Sequence, residues 1–131
     1  MDRRKARDKA FLLIYQYKFQ PNDIEDLLTD FLNENDAGEN REYISSTVLG
    51  VVEKAEEIDK ALSEFLKDWQ IDRVSSVCLA ALRLGAYEIM YNDGVPSAVA
   101  VNEAVNIAKR YEGEEAVSFV NGILGNIKDR Y

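Results

Sequence analysis

Asp2-Arg3-Arg4-Lys5-Ala6-Arg7-Asp8-Lys9-Ala10-Phe11-Leu12-Leu13-Ile14-Tyr15-Gln16-Tyr17-Lys18-Phe19 is the stretch on which the reading of this chain turns. It lacks the period-two alternation of a strand and follows a helical period instead. At about 100° per residue, Ala6, Ala10, Leu13, Ile14 and Tyr17 share one side, an ordinary core stripe. A second side, about 80° wide, carries Arg4, Arg7, Phe11, Tyr15 and Lys18. A solvated face seldom carries two large aromatics. Either Phe11 and Tyr15 pack beneath another helix, or this flank binds a ligand. In the second case guanidinium groups meet phosphates and a ring stacks on a base.

The rest of the chain reads as helix as well. Asp2 is expected to cap helix 1 over residues 3–19, and Pro21 to stop it. Asn22 is expected to cap helix 2 over about 23–34, with Glu25 in a capping-box-like position. A polar loop spans Asn33 to Asn40. Helix 3 begins near Arg41 and continues toward Asp68, with a bend expected near Gly50 or Glu56. Asp72 is expected to cap helix 4, which runs to Tyr91. Asn92-Asp93-Gly94 ends it. Pro96 and Ser97 open helix 5, which runs to Tyr111, and Gly113 separates it from helix 6. Gly122 and Gly125 inside helix 6 each cost about 1 kcal/mol relative to Ala, which predicts close packing against another helix. Asn102 and Glu103 lie beside the small-residue stripe of helix 5, where buried hydrogen bonding is their expected role. The fold class is therefore all-α, with about six or seven helices in one domain over 1–131. Two helical subdomains, about 1–70 and 71–131, are expected to pack together, because no flexible linker separates them.

Composition excludes several chemistries. The 131 residues contain no histidine, so Ser-His-Asp and Cys-His nucleophilic machinery cannot be assembled. One cysteine, Cys78, rules out an intramolecular disulfide and a Cys-rich zinc site. No Gly-rich nucleotide loop and no calcium-type loop appears. No cofactor and no metal is expected, and the chain reads as no enzyme. Apolar runs such as Phe11–Tyr15 and Val77–Leu82 fall far short of the roughly 18–20 residues that span a bilayer. With no secretory signal pattern at the start, a cytoplasmic protein is expected.

Charge is unevenly placed. The net charge is −8, yet residues 1–20 hold six basic and two acidic side chains. Residues 21–72 hold four basic and fifteen acidic ones, and the remainder is nearly balanced. A basic end on an acidic body has a local footprint that the total conceals.

Four segments together resemble one family, the bacterial transcription antitermination factor NusB. They are the Arg-rich start through Leu13-Ile14-Tyr15, and Leu82-Arg83-Leu84-Gly85-Ala86-Tyr87-Glu88. Then come Val95-Pro96-Ser97-Ala98-Val99-Ala100-Val101-Asn102-Glu103-Ala104 with Ala108-Lys109-Arg110-Tyr111, and Phe119-Val120-Asn121-Gly122-Ile123-Leu124. The resemblance covers essentially the whole chain in the expected order. It implies an all-helical protein without enzymatic activity that pairs with NusE, a protein of the small ribosomal subunit. The pair binds boxA-type single-stranded RNA in ribosomal RNA leaders and helps RNA polymerase read through terminators. By the same resemblance, Arg3, Arg4, Lys5 and Arg7 fall on an arginine-rich RNA-contacting motif. Tyr15, Phe65 and Tyr111 fall on aromatic positions along the RNA path, and Glu115 on an acidic position that tempers affinity. Cys78 falls where relatives often carry an acidic residue facing NusE. Lys5 stands in place of an arginine and loses the bidentate fork toward phosphate. Phe65 keeps stacking but lacks a tyrosine hydroxyl. Some family members self-associate, so a homodimer in the RNA-free state belongs to the same expectation. The competing readings are a helical protein-interaction module without direct RNA binding, and a detached helical accessory domain of an RNA-modifying enzyme.

Overall fold

In a computed structural model, residues 1–66 and 71–131 are described, and they form seven α-helices and three short 3-10 turns without a strand. The helices are α1 (Arg3–Phe19), α2 (Ile24–Glu34), α3 (Arg41–Glu53), α4 (Ala55–Phe65), α5 (Ser76–Tyr91), α6 (Ser97–Tyr111) and α7 (Glu115–Arg130). The long third helix of the sequence reading is two helices, which part at Lys54 between the two expected bend points. Its expected end at Asp68 and the subdomain boundary near residue 70 lie outside the described residues.

Asp2 caps α1, its carboxylate accepting from the Lys5 backbone N–H at 2.8 Å. Two other expected caps are corrected. Pro21–Asp23 forms a 3-10 turn that delivers the chain into α2, and no side chain caps that helix. Asp23 precedes α2 with φ −104° and ψ 2°, so it lacks the extended backbone that normally lets a cap side chain fold back. Asp72 lies in a similar turn, Ile71–Arg73. The cap of α5 is Ser75, with extended backbone and its hydroxyl accepting from the Cys78 N–H at 3.1 Å.

α5 is the axis of the fold. It is apolar nearly all round, as a fully surrounded helix must be, and it touches α1, α3, α4, α6 and α7. The buried side chains of both halves merge into one continuous cluster around it. Gly85 makes this possible. A Cβ there would lie 2.5 Å from Leu124 Cδ1 and 3.1 Å from the Ala104 Cβ, so α5, α6 and α7 meet at a point where only hydrogen fits. Gly122 and Gly125 do not play that part. Added Cβ atoms at both would meet nothing within 4 Å, so the expectation that they mark close packing is overturned. They face outward from α7, and the close approach belongs to α5.

One polar cluster crosses this core. Glu88 on α5 is buried, and its carboxylate accepts from Arg7 Nε at 3.0 Å and Arg7 Nη2 at 3.2 Å. It also accepts from the Tyr43 hydroxyl on α3 at 2.9 Å. Burial alone would lower the Arg7 pKa, but the Glu88 hydrogen bonds and charge outweigh it and raise it. Burial, reinforced by the Glu88 charge, pushes the Tyr43 phenol well above its ordinary range and keeps it a donor. Three helices are thereby pinned to one carboxylate.

Urea unfolding of four variants checks these two features. Arg7→Ala strands a buried carboxylate and costs about 3–5 kcal/mol in urea unfolding. Arg4→Ala, whose side chain is 69% exposed, costs less than about 1 kcal/mol. Gly122→Ala raises stability by about 0.5–1 kcal/mol through helix propensity, whereas Gly85→Ala lowers it by forcing α5 from α7. A destabilised Gly122→Ala would contradict the open space above that residue.

Candidate nucleic-acid interface

The Arg-rich start divides by helical geometry. Arg3 and Arg7, one turn apart, both turn toward the Tyr43 ring, at 4.2 and 5.5 Å from its centroid. Arg3 also donates through Nε to Asn40 Oδ1 at 2.7 Å, and Asn40 in turn donates to the Met1 carbonyl. Arg7 is only 5% exposed, so its expected outward orientation is corrected. It lies about 60° round the helix from Arg4, enough to pass from the surface into the core. Arg4 and Lys5 remain on the outside. Arg4 Nη2 donates to Glu103 Oε1 at 3.1 Å, which ties α1 to α6. Glu103 is thus a largely buried acceptor, as expected, while its neighbour Asn102 is exposed.

The aromatic face is continuous. The Tyr111 ring lies 5.0 Å from that of Phe11. Phe11 is 6.5 Å from Tyr15, and Tyr15 is 5.3 Å from Phe19. Phe11 is buried and forms the floor, so for this residue the packing reading holds. Tyr15 is half-buried, while Tyr111 is 41% and Phe19 58% exposed. Beyond Phe19, Lys18 Nζ donates to the Ser76 hydroxyl at 2.9 Å and joins the end of α1 to the start of α5.

Asp8 organises the opposite end. Its Oδ1 accepts from Arg110 Nη1 at 2.5 Å and its Oδ2 from the Tyr111 hydroxyl at 2.8 Å. Burial, and then the Asp8 hydrogen bond and charge, raise the Tyr111 pKa, so the phenol stays protonated and donates. Asp2, Arg4, Lys5, Asp8 and Arg110 line a shallow depression of about 320 Å3 beside this ladder. Three cations and three rings therefore share one flank, with carboxylates beside the cations.

Phe65, Glu115 and Cys78 lie elsewhere. Phe65 is half-buried near the end of α7, where the Arg130 guanidinium covers its ring at 4.8 Å. Glu115 opens α7, about 22 Å away along that helix by its rise per residue. It lines a cavity of about 380 Å3 together with Arg73, Val74, Cys78, Glu112 and Phe119. Cys78 is buried in the wall of that cavity, and burial pushes its thiol pKa up, against a smaller lowering from Ser75. Those conditions suit packing rather than reactivity.

Sequence reasoning missed Asp8, Arg110 and Phe19. Asp8 and Phe19 each stand four residues from a chosen site residue, Arg4 and Tyr15, which is a usable helical signal. The Asp8–Arg110 pair spans 102 residues and had none.

Comparison with known proteins agrees with this architecture. The model of the NusB family matches residues 4–129. A transcription antitermination protein NusB from Acetivibrio thermocellus is 47% identical over 128 residues, covering 97% of this chain and 88% of that protein. Its counterpart from a Thermoanaerobacter species is 40% identical, covering 95% and 89%. Among solved structures, T. maritima NusB superimposes with a TM-score of 0.92 at 33% identity, covering 100% of this chain and 93% of that one. A chain in a crystal structure of antitermination factors NusB and NusE in complex with double-stranded RNA gives 0.87 at 31% identity, with full coverage of both. With five helices packed on α5 among the described residues and a family match over nearly its whole length, this chain belongs to the NusB family.

Proposed function

We propose that this chain is a transcription antitermination factor that binds boxA-type single-stranded RNA together with NusE, and so promotes read-through by RNA polymerase. The observation that carries the reading is the flank built by α1 and α6. Arg4, Lys5 and Arg110 cluster at one end of a row of rings that runs from Tyr111 through Phe11 and Tyr15 to Phe19. A single strand offers base faces to rings and phosphates to cations, and this flank presents both. The relatives named for transcription antitermination and the neighbour crystallised with NusE and RNA support the same assignment.

Within this reading the family's site residues take different roles. Arg4, Lys5, Tyr15 and Tyr111 face the strand. Arg3 contributes from the margin, where its guanidinium already lies on Tyr43. Arg7 positions α1 from inside and contacts no phosphate. Glu115 borders the cavity at Cys78, and NusE docks over that cavity, whose apolar wall of Val74, Ala116 and Phe119 is rimmed by Arg73 and Glu112. Phe65 belongs to a separate outer contact of a longer strand path. Among the described residues no helix is long and apolar enough to cross a membrane. In this reading the protein acts on nascent RNA in the bacterial cytoplasm. No step in this role is enzymatic.

The acidic segment 21–72 repels RNA, so the chain alone binds weakly, and a basic partner offsets that repulsion. A gel-shift of boxA-type RNA with this chain, with NusE, and with both is expected to give a far stronger shift for the pair. No shift in any lane would leave the protein-interaction module as the surviving reading. In the paired complex, Tyr111→Ala weakens binding by about 1–3 kcal/mol while Tyr111→Phe retains most of it, because the stacking face survives. Arg4→Ala weakens binding and lowers the salt slope by about 0.7 in log–log form, the value for one phosphate on a single strand. Arg4 would be excluded from the contact surface by an unchanged slope.

A further inference from the structure

Arg110 is the cation of this flank whose restraint is most complete. Its Nη1 lies 2.5 Å from Asp8 Oδ1, and the other Asp8 oxygen is taken by the Tyr111 hydroxyl at 2.8 Å. The two donors are neighbours at the end of α6, and Asp8 reaches them from the second turn of α1. Asp8 is 17% exposed and Arg110 46%, so the pair sits at the rim of the depression shared with Arg4 and Lys5. A carboxylate that presents one oxygen to a guanidinium and the other to a phenol imitates the two non-bridging oxygens of a phosphodiester.

Resting on the RNA-binding reading above, we propose that Arg110 is a further phosphate-contact residue, and that Asp8 is an internal competitor holding it until an RNA phosphate displaces the carboxylate. Asp8 thereby does two things. It keeps Tyr111 in register with Phe11 while the site is empty, and it sets a threshold that a weakly charged or misplaced strand does not cross. An exposed ion pair is cheap to exchange, so the restraint tunes affinity without blocking the site. The Arg4–Glu103 pair beside it is looser, at 3.1 Å with Arg4 mostly exposed, and restrains Arg4 less.

The test is fluorescence anisotropy of a short boxA-type RNA against the full chain with NusE, across a salt series. Asp8→Asn keeps an oxygen for the Tyr111 hydroxyl and removes only the charge. It is expected to tighten binding by up to about fivefold, the worth of an exposed ion pair. The log–log salt slope should stay as it is, because the Arg110–phosphate contact is made in both proteins. Arg110→Gln should lower the slope by about 0.7, the share of one phosphate contact, and in the double variant it should remove the tightening that Asp8→Asn gives alone. Loss of one negative charge acting only through long-range repulsion would leave the gain intact in the Arg110→Gln background. That outcome overturns the proposal, as does an unchanged or weaker Asp8→Asn. Absence of RNA binding by the unsubstituted pair would instead defeat the functional reading itself. Circular dichroism melts of each variant separate these effects from loss of fold.

Discussion

The Glu88 carboxylate is the constraint on which the working face depends. Removing a carboxylate and a guanidinium from water is expensive, and only a fully bonded arrangement offsets the cost. Glu88 meets that condition by accepting from two Arg7 nitrogens and from the Tyr43 hydroxyl. Its worth lies less in net stability than in what it forbids. A rotation of α1 by one residue position, about 100°, would carry Arg7 out of reach and leave Glu88 unpaired in the core. The same rotation would turn Phe11 away from the Tyr111 ring and break the row. The rotational setting of α1 is therefore fixed by an interior group that has no part in the exposed face.

Everything on the outer face follows from that setting. Arg4, Asp8, Phe11, Tyr15 and Phe19 recur every three or four residues and stand in a row. α6 runs alongside and supplies Glu103, Arg110 and Tyr111 to the same row. α6 holds its place because Gly85 of α5 admits Ala104 and Leu124 so closely. Two interior features, one charged and one a missing side chain, thus set the geometry of a surface.

The cations on this surface are met by carboxylates as well as by solvent. Arg4 with Glu103 and Arg110 with Asp8 form a flank whose positive charges are partly neutralised at rest. Under the proposed function, such a surface would hold an RNA strand by exchanging partners, and would discriminate through ring stacking. The strongly acidic body works in the same direction by disfavouring indiscriminate adhesion to polyanions.

The sequence by itself determined the helical class, the boundaries of α1, α6 and α7 to within a residue or two, and the Asp2 cap. These are local properties, set by periodicity, breakers and backbone hydrogen bonding within a few residues. It also marked the Arg-rich start and Tyr15 as a candidate surface, since a mixed cationic and aromatic flank is visible from spacing alone. Tertiary structure decided which of those residues reach the outside. Arg4 and Arg7 differ by only 60° on the helix, and the choice between them was made by Glu88, 81 residues away. Likewise Gly122 and Gly125 looked like contact points, but the contact lies at Gly85, because close approach belongs to pairs of helices and is invisible in either one alone. Burial and pairing are properties of what surrounds a side chain, and for Asp8, Arg7 and Gly85 those surroundings come from the opposite half of the chain or from neighbouring helices.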